Sequence, residues 1–103
     1  MNVLLVRPDG IGDEILCLPV ASALRRLLPD ARITFLSSEY AAPVLAHHPD
    51  LDEVWTITGR ESSRELVALF CRAVDAVVFL KPFKHLMWAA FRARVPIRVA
   101  TGY

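Results

Sequence analysis

The chain has 103 residues, of which 54% are hydrophobic and 22% are charged, and its formal net charge is +1. This composition excludes an intrinsically disordered chain, and the length allows at most one domain. No apolar run approaches the ~20 residues of a membrane-spanning helix, and the N-terminus lacks the basic segment and cleavage site of a secretory signal, so we expect a cytoplasmic globular domain.

The first predicted strand runs from Val3 to Val6, a short apolar run without polar alternation that is typical of a strand buried on both faces. Pro8, Gly10 and Gly12 then interrupt the pattern, and helical apolar spacing follows from Asp13. The segment is therefore a strand, a tight glycine loop and a helix N-terminus. Because ligands of open α/β sheets bind at the carboxyl ends of the strands, a carboxylate here is either a helix-stabilising group or a catalytic one.

The first predicted helix covers Asp13 to Leu28 and contains Pro19. A proline inside a helix removes a hydrogen bond, so we expect one short turn from Asp13 and a second helix restarting near Pro19. Glu14 is expected to be an exposed acid of the first turn.

The remaining elements continue to alternate between strand and helix. The second predicted helix begins near Glu39, after a cap formed by Ser37 and Ser38, and ends by His48. The other predicted elements are strands at Arg32–Leu36, Asp52–Ile57, Ala76–Leu80 and Ile97–Ala100, and helices at Glu61–Ala73 and His85–Ala93. Five strands spaced by about 20 to 30 residues predict right-handed βαβ units and an α/β fold with a Rossmann-like parallel sheet of order 3-2-1-4-5.

Several individual residues have a structural interpretation at this stage. Alternation in the third strand predicts a place near the sheet edge. Cys17 and Cys71 lie among apolar positions and are interpreted as core thiols, and Trp55 and Trp88 are interpreted as core residues. No cysteine or histidine has a partner at metal-ligand spacing, so no metal site is predicted.

The segment from Arg7 to Pro19 reads Arg-Pro-Asp-Gly-Ile-Gly-Asp-Glu-Ile-Leu-Cys-Leu-Pro. It resembles the N-terminal signature of glycosyltransferase family 9, the ADP-heptose:lipopolysaccharide heptosyltransferases. Members usually show a basic residue, a small polar loop, Gly-Asp, a few apolar residues and Leu-Pro. The similarity continues through Ala23–Arg26, Pro29–Ile33, His48–Val54 and Arg98–Tyr103.

The resemblance implies that residues 1–103 form the N-terminal, acceptor-side half of a GT-B fold. It implies an inverting transfer of heptose or a related sugar from a nucleotide-sugar, such as ADP-heptose, to a lipopolysaccharide core or another anionic glycan. The donor would be bound mainly by a C-terminal domain that this chain does not include, so the chain alone is expected to be inactive. No further cofactor is implied.

The resemblance also assigns candidate site residues. Asp13 coincides with the acid that serves as the catalytic base in the family, and a carboxylate fixed at a glycine loop suits that chemistry. From position alone, Asp13 could instead stabilise the helix start by roughly 0.3–1 kcal/mol. Gly10, Ile11 and Gly12 would shape the pocket, with the glycines supplying either a positive φ or room for a ligand to approach.

Three basic residues are candidate contacts to an anionic acceptor. Arg7 could bind the acceptor, or it could pair with Asp9 or Asp13. Lys81 and Lys84 follow the fourth strand and should emerge at the same sheet edge, where lysines suit phosphate or carboxylate groups. Solvated lysines are the alternative. Family members often carry an acidic residue, an apolar residue, Gln and Gly in this segment, so the departure leaves the identity of the acceptor open. Pro8-Asp9 also replaces the small hydroxyl residues that many members carry.

The basic residues are concentrated towards the C-terminus. Residues 72–103 contain six Lys and Arg residues but a single acid, Asp75. This asymmetry indicates either solvated helix faces or a surface for an anionic ligand or phosphate-bearing lipid headgroups. Peripheral contact with the inner face of the inner membrane, through Lys84, Trp88 and Arg92, therefore stays open, whereas no motif indicates nucleic-acid binding.

Two other classes of Rossmann-like domain were considered as alternatives. A dinucleotide-binding domain would need a third glycine, but position 15 is Ile15, and Asp13 and Glu14 would repel a pyrophosphate. A non-catalytic, receiver-like signalling module would need an aspartate at the end of the third strand, where this chain has Thr56-Ile57-Thr58.

Overall fold

The computed structural model describes residues 1–72 and 74–100, except for the side chain of Ile11. Two predictions lie outside the described residues: the end of a helix at Ala73, and residues 101–103 of the last segment that resembles glycosyltransferase family 9. The elements of the described chain are, in order, β1 (Asn2–Val6), α1 (Ile11–Leu16), α2 (Leu18–Leu27), β2 (Arg32–Ser38), α3 (Ala42–Leu45), β3 (Glu53–Ile57), α4 (Ser63–Phe70), β4 (Ala76–Phe79), α5 (Lys84–Arg92) and β5 (Ile97–Ala100).

The five strands form one parallel sheet of order β3-β2-β1-β4-β5, which confirms the predicted Rossmann-like topology. β1 pairs with β2 on one side and with β4 on the other, so that Val6 is opposite both Leu36 and Phe79. β3 lies at one edge, as its alternating pattern predicted.

Side chains of β1 alternate between two hydrophobic cores, one on each face of the sheet. Leu4 and Val6 point into the core that α4 and α5 cover, whereas Val3 and Leu5 point into the core that α2 and α3 cover. All four side chains are buried, which confirms the expectation of a strand enclosed on both faces.

The predicted break at Pro19 is also present. Cys17 separates α1 from α2, and Pro19 lies in the first turn of α2, where its missing N–H costs no helical hydrogen bond. However, α1 begins at Ile11, two residues earlier than predicted, because Gly10 is its N-cap and the carbonyl of Gly10 accepts a bond from Glu14 N.

The prediction for the second helix was wrong. β2 extends through Ser37 and Ser38 because they continue the ladder with β3, opposite Thr56 and Ile57. The helix that follows, α3, has only four residues and has no side-chain cap. A serine pair after a strand favours a cap in sequence terms, but here the strand pairing determines the backbone conformation.

Three residues interpreted as core residues are less buried than expected. Cys71 follows α4 and is exposed, Cys17 is half-buried, and Trp88 is half-exposed on α5. Trp88 stacks against the guanidinium of Arg92, 5.7 Å from the ring centroid, and Trp55 lies under Arg72 at 5.0 Å. These tryptophans therefore support basic side chains at the surface.

Within residues 1–72 and 74–100, no helix has the length and apolarity that a membrane crossing needs.

Arg25 joins the end of α2 to the starts of two strands. Its guanidinium donates to the carbonyl oxygen of Ala31 at 2.6 Å and to a carboxylate oxygen of Asp52 at 2.6 Å. The same carboxylate accepts a bond from Ile33 N at 2.7 Å. This backbone bond, together with Arg25, holds the pKa of Asp52 below its ordinary value. Arg25 and Asp52 therefore fix the amino-terminal edge of β2 and β3.

Replacing Arg25 tests this arrangement. Arg25→Met should lower the free energy of unfolding by about 1–3 kcal/mol, because it removes charged hydrogen bonds and leaves partly buried acceptors without a donor. Arg26→Met, at the exposed neighbouring position of the same helix, is the matched control and should change stability by less than about 0.5 kcal/mol. Urea unfolding measures both. Equal losses in the two variants would contradict the proposed role of Arg25.

Candidate functional site

The candidate site lies at the carboxyl edge of the sheet, where the chain leaves β1. Arg7 N donates to the carbonyl of Leu36, two residues before the end of β2, and Leu80 N donates to the carbonyl of Val6 at the end of β1. These bonds extend the strand pairing by one residue on each side. The loops that follow β1, β2 and β4 therefore start close together.

Four charged side chains meet in this region. The guanidinium of Arg7 lies 3.3 Å from the carboxylate of Asp9 and 3.8 Å from that of Asp13, and the ammonium of Lys81 lies 3.7 Å from Asp9. Burial alone would lower the pKa of Arg7, but the Asp9 carboxylate raises it. We call Arg7, Asp9, Asp13 and Lys81 the charged cluster.

Asp13 has the geometry that both of its predicted roles require. It lies in the first turn of α1, where a negative charge stabilises the helix start. Its side chain is also 55% exposed, so an incoming hydroxyl group can reach the carboxylate. The structure therefore leaves both the helix-stabilising and the catalytic interpretation in place.

The two glycines of the loop do not need a positive φ. Gly10 has a φ of −68°, and Gly12 lies within α1. The predicted positive φ at these glycines was therefore wrong. A Cβ added at Gly12 would meet no atom within 4 Å, and one at Gly10 would make only an ordinary contact with Asp13. The glycines therefore leave open space beside Asp13, and close approach of a ligand stays a prediction.

Glu14 is not the exposed acid that the sequence indicated, because its residue exposure is 0%. One carboxylate oxygen accepts a hydrogen bond from Ser38 N at 3.2 Å, and the other accepts one from Ser38 Oγ at 3.2 Å. The early start of α1 at Ile11 turns Glu14 towards the end of β2. We call these two hydrogen bonds the Glu14–Ser38 pair.

Burial is the main influence on the ionisation of Glu14. Removal of the carboxylate from water raises the pKa of Glu14, and the nearby Asp9 charge acts in the same direction. The hydroxyl of Ser37 and the hydrogen bonds from Ser38 oppose this effect because they stabilise the charged form, but they do not cancel it.

A cleft of about 230 Å³ opens beside the end of β2. Its walls come from the loops after β1 and β3, the end of β2 and the start of α5, and they comprise Pro8, Ser38, Ile57, Thr58, Gly59, Phe83, His85 and Leu86. Of these residues, only Pro8 belongs to the glycine loop that the sequence indicated, and none was predicted as a site residue. Their position directly after the strands was the signal that could have identified them.

The wall formed by the loop after β3 is held in place by local hydrogen bonds. Gly59 has a φ of 89°, a conformation that other residues rarely adopt. The Glu61 carboxylate accepts bonds from Thr58 N at 2.8 Å and from Gly59 N at 2.9 Å. Although burial raises the pKa of Glu61, these backbone bonds bring it below its ordinary value.

The structure brings together only part of the predicted set. Arg7, Asp13 and Lys81 meet around Asp9, whereas Lys84 is the exposed first residue of α5 and makes no ion pair with another described residue. The backbone of Ile11 opens α1 beside Gly10 and Gly12. No group of three His, Cys, Asp or Glu side chains within residues 1–72 and 74–100 could hold a metal ion.

Comparisons with solved structures give a consistent set of similar folds. A glycosyl transferase family 9 protein from Veillonella parvula DSM 2008 is 22% identical, with a TM-score of 0.83. The match covers 96% of this chain and 32% of the Veillonella protein. E. coli ADP-heptose lps heptosyltransferase II is 20% identical, with a TM-score of 0.82, and the match covers 97% of this chain and 30% of the E. coli protein.

The E. coli heptosyltransferase WaaC with ADP is 19% identical, with a TM-score of 0.77, over 97% of this chain and 34% of that chain. The chain thus spans about a third of the length of these structures, and at such identities the similarity establishes the fold alone. No family model and no curated protein sequence matches the chain.

The buried carboxyl of Glu14 predicts a pH-dependent effect on stability. The pKa of Glu14 is higher in the folded protein than in the unfolded chain. At a pH between these two pKa values, Glu14 is therefore protonated in the folded protein but has released its proton in the unfolded chain. Ionisation of Glu14 therefore lowers stability as the pH rises through this window. The stability of Glu14→Gln relative to the native chain should therefore increase as the pH rises above the ordinary pKa of a glutamate side chain.

Urea unfolding at a series of pH values measures this difference. Glu39→Gln, which removes an exposed carboxyl from the loop after β2, is the matched control. The same dependence on pH in both variants, or a relative stability of Glu14→Gln that falls as the pH rises, would contradict the assignment.

Proposed function

We propose that this chain forms the acceptor-side domain of a glycosyltransferase of family 9. The reaction would transfer heptose or a related sugar from a nucleotide-sugar to a lipopolysaccharide core, with inversion at the anomeric carbon and Asp13 as the general base. The single observation that carries this proposal is the exposed Asp13 carboxylate beside open space at the carboxyl edge of the sheet. The similarity in fold to two E. coli heptosyltransferases supports it.

The geometry around Asp13 suits proton removal from an acceptor hydroxyl. Asp13 lies in the first turn of α1, so its backbone is fixed, and Gly12 offers no side chain that would obstruct a sugar. Arg7 lies 3.8 Å from the carboxylate and places it at the edge of the charged cluster. The hydroxyl oxygen would attack the anomeric carbon while the nucleotide leaves, and its proton would pass to Asp13.

The acceptor is proposed to lie in the cleft bounded by Pro8, Ser38, Gly59 and His85. The cleft has both polar and apolar walls, as a sugar with hydroxyl groups and carbon faces requires. Lys81 lies 3.7 Å from Asp9 in the charged cluster and would contact a phosphate or carboxylate of the acceptor. Gly10, Ile11, Lys84 and Arg7 remain proposed contacts.

The donor nucleotide-sugar is proposed to bind mainly to a C-terminal domain outside these 103 residues. One similar structure, WaaC, contains ADP, and this chain covers only 34% of that protein. On this division, the chain alone should not transfer sugar. Basic and aromatic residues of α5 such as Trp88 and Arg92 could contact the inner face of the membrane, where the proposed acceptor would be presented.

The general-base role can be tested in the complete protein with ADP-heptose and a deacylated lipopolysaccharide core. Asp13→Asn should lower kcat by about two orders of magnitude or more, because the amide cannot accept the proton. Asp30→Asn, at an exposed position after α2 and distant along the chain, is the matched control and should retain activity. Near-normal turnover by folded Asp13→Asn would limit Asp13 to a helix-stabilising role, and no transfer by the native protein would contradict the proposed function.

The contact to an anionic acceptor predicts a different kinetic change. Lys81→Met should raise KM for the acceptor by about tenfold, with a weaker effect at high salt, because one charge contact is lost. KM for the nucleotide-sugar should stay the same. Lys84→Met tests the second lysine, and Arg26→Met controls for the loss of an exposed positive charge elsewhere. An unchanged acceptor KM in Lys81→Met would exclude the contact.

A further inference from the structure

Glu14 is a fully buried acid on α1, a helix whose other described side chains are exposed. Among the side chains that the structure describes on α1, Asp13, Ile15 and Leu16 are exposed, and Leu16 is exposed by 77%. A helix of six residues has little stability of its own. Its orientation must therefore come from its contacts with the rest of the domain.

The Glu14–Ser38 pair joins α1 to the end of β2. Both carboxylate oxygens are hydrogen-bonded, one to the backbone N–H and one to the hydroxyl of Ser38. Ser38 belongs to the last residue pair between β2 and β3, so its backbone is fixed by the sheet. The pair therefore attaches α1 to a rigid strand end.

Hydrogen bonding, rather than filling of space, explains a carboxyl group at this position. Burial of a carboxyl costs free energy, and an apolar side chain of similar size would fill the same volume without that cost. An apolar side chain would, however, leave the Ser38 N–H without its acceptor. A carboxyl provides two acceptors that meet the two donors of one residue.

The direction of Glu14 also determines the direction of Asp13. Consecutive residues of a helix point about 100° apart, so a Glu14 side chain held inward places Asp13 at the surface, on the side of Arg7. Ser38 itself forms part of the wall of the cleft. The same residue thus borders the proposed acceptor site and holds the helix that carries the proposed base.

We propose that Glu14 is a positioning residue, which fixes α1 through the Glu14–Ser38 pair and thereby sets the direction of the exposed Asp13 carboxylate on the same helix. The role in catalysis rests on the proposed function of Asp13. The attachment of α1 does not depend on it and can be measured separately.

The test compares three variants of the complete protein in sugar transfer. Glu14→Leu removes both acceptors and should lower kcat by about 10- to 100-fold, because a displacement of about 1 Å at the base is enough for such a loss. KM for the nucleotide-sugar should stay within about twofold. Glu14→Gln retains an oxygen acceptor for Ser38 N and an amide donor for Ser38 Oγ, so it should stay within about threefold of the native kcat.

Leu16→Ala is the matched control, because it alters an exposed position of the same helix. It should leave kcat within about twofold of the native value. Circular dichroism at the assay temperature establishes that each variant is folded. If Glu14→Leu does not fold, Ser38→Ala removes the hydroxyl that donates to Glu14 and that also accepts from Ala41 N. It should still lower kcat by about threefold or more, again without a change in KM for the nucleotide-sugar.

Amide hydrogen exchange supplies a measurement that needs no catalytic activity. In Glu14→Leu, or in Ser38→Ala if the former does not fold, amides of α1 should exchange at least about tenfold faster, whereas amides of α5 should not change. Unchanged exchange in α1, a normal kcat in folded Glu14→Leu, or a Glu14→Gln variant as defective as Glu14→Leu would each overturn the proposal. If the native protein transfers no sugar, the proposed function fails, and the exchange rates still decide whether Glu14 holds α1.

Discussion

The structure depends on the parallel pairing of β1 with a neighbour on each side. Val6 lies opposite both Leu36 and Phe79, and both faces of the strand are buried, so the point at which the chain leaves β1 is fixed in all directions. The connection from β1 leads to β2 on one side, and β4 lies on the other, so the strand order reverses at β1. Loops diverge at such a point and leave a crevice, which is where ligands of open α/β sheets bind. Arg7 and Lys81, which follow β1 and β4, meet at this crevice.

The charged side chains at this edge of the sheet have different surroundings. Asp9 lies between Arg7 and Lys81 and keeps the two cations close without leaving them uncompensated. Two consecutive acids, Asp13 and Glu14, then take opposite environments, one at the surface and one in the interior. The exposed carboxylate is suited to proton transfer, and the buried one is suited to holding a helix in place. Their different surroundings, rather than their residue types, separate these two proposed functions.

Patterns that depend on neighbouring residues were sufficient to predict most of the fold. The spacing of the strands predicted the sheet order, and Pro19 predicted the break between the first two helices; the structure confirms both. The errors arose where distant contacts override local preference. Ser37 and Ser38 resemble a helix cap but are paired with β3, and Glu14 resembles a surface acid but is bonded to Ser38 across 24 positions. The residues of the cleft come from four separate loops and strand ends, so no local motif contains them.

The most direct test of the proposed site is a structure of the complete protein with a non-transferable nucleotide-sugar and an acceptor glycan. The proposal predicts that the acceptor lies in the cleft beside Ser38, Gly59 and His85. It also predicts that the attacking hydroxyl lies within about 2.6–3.2 Å of the Asp13 carboxylate, or one water molecule away, because that is the reach of a general base. An acceptor bound at another edge of the sheet, or in this cleft with its attacking hydroxyl out of reach of Asp13, would contradict it.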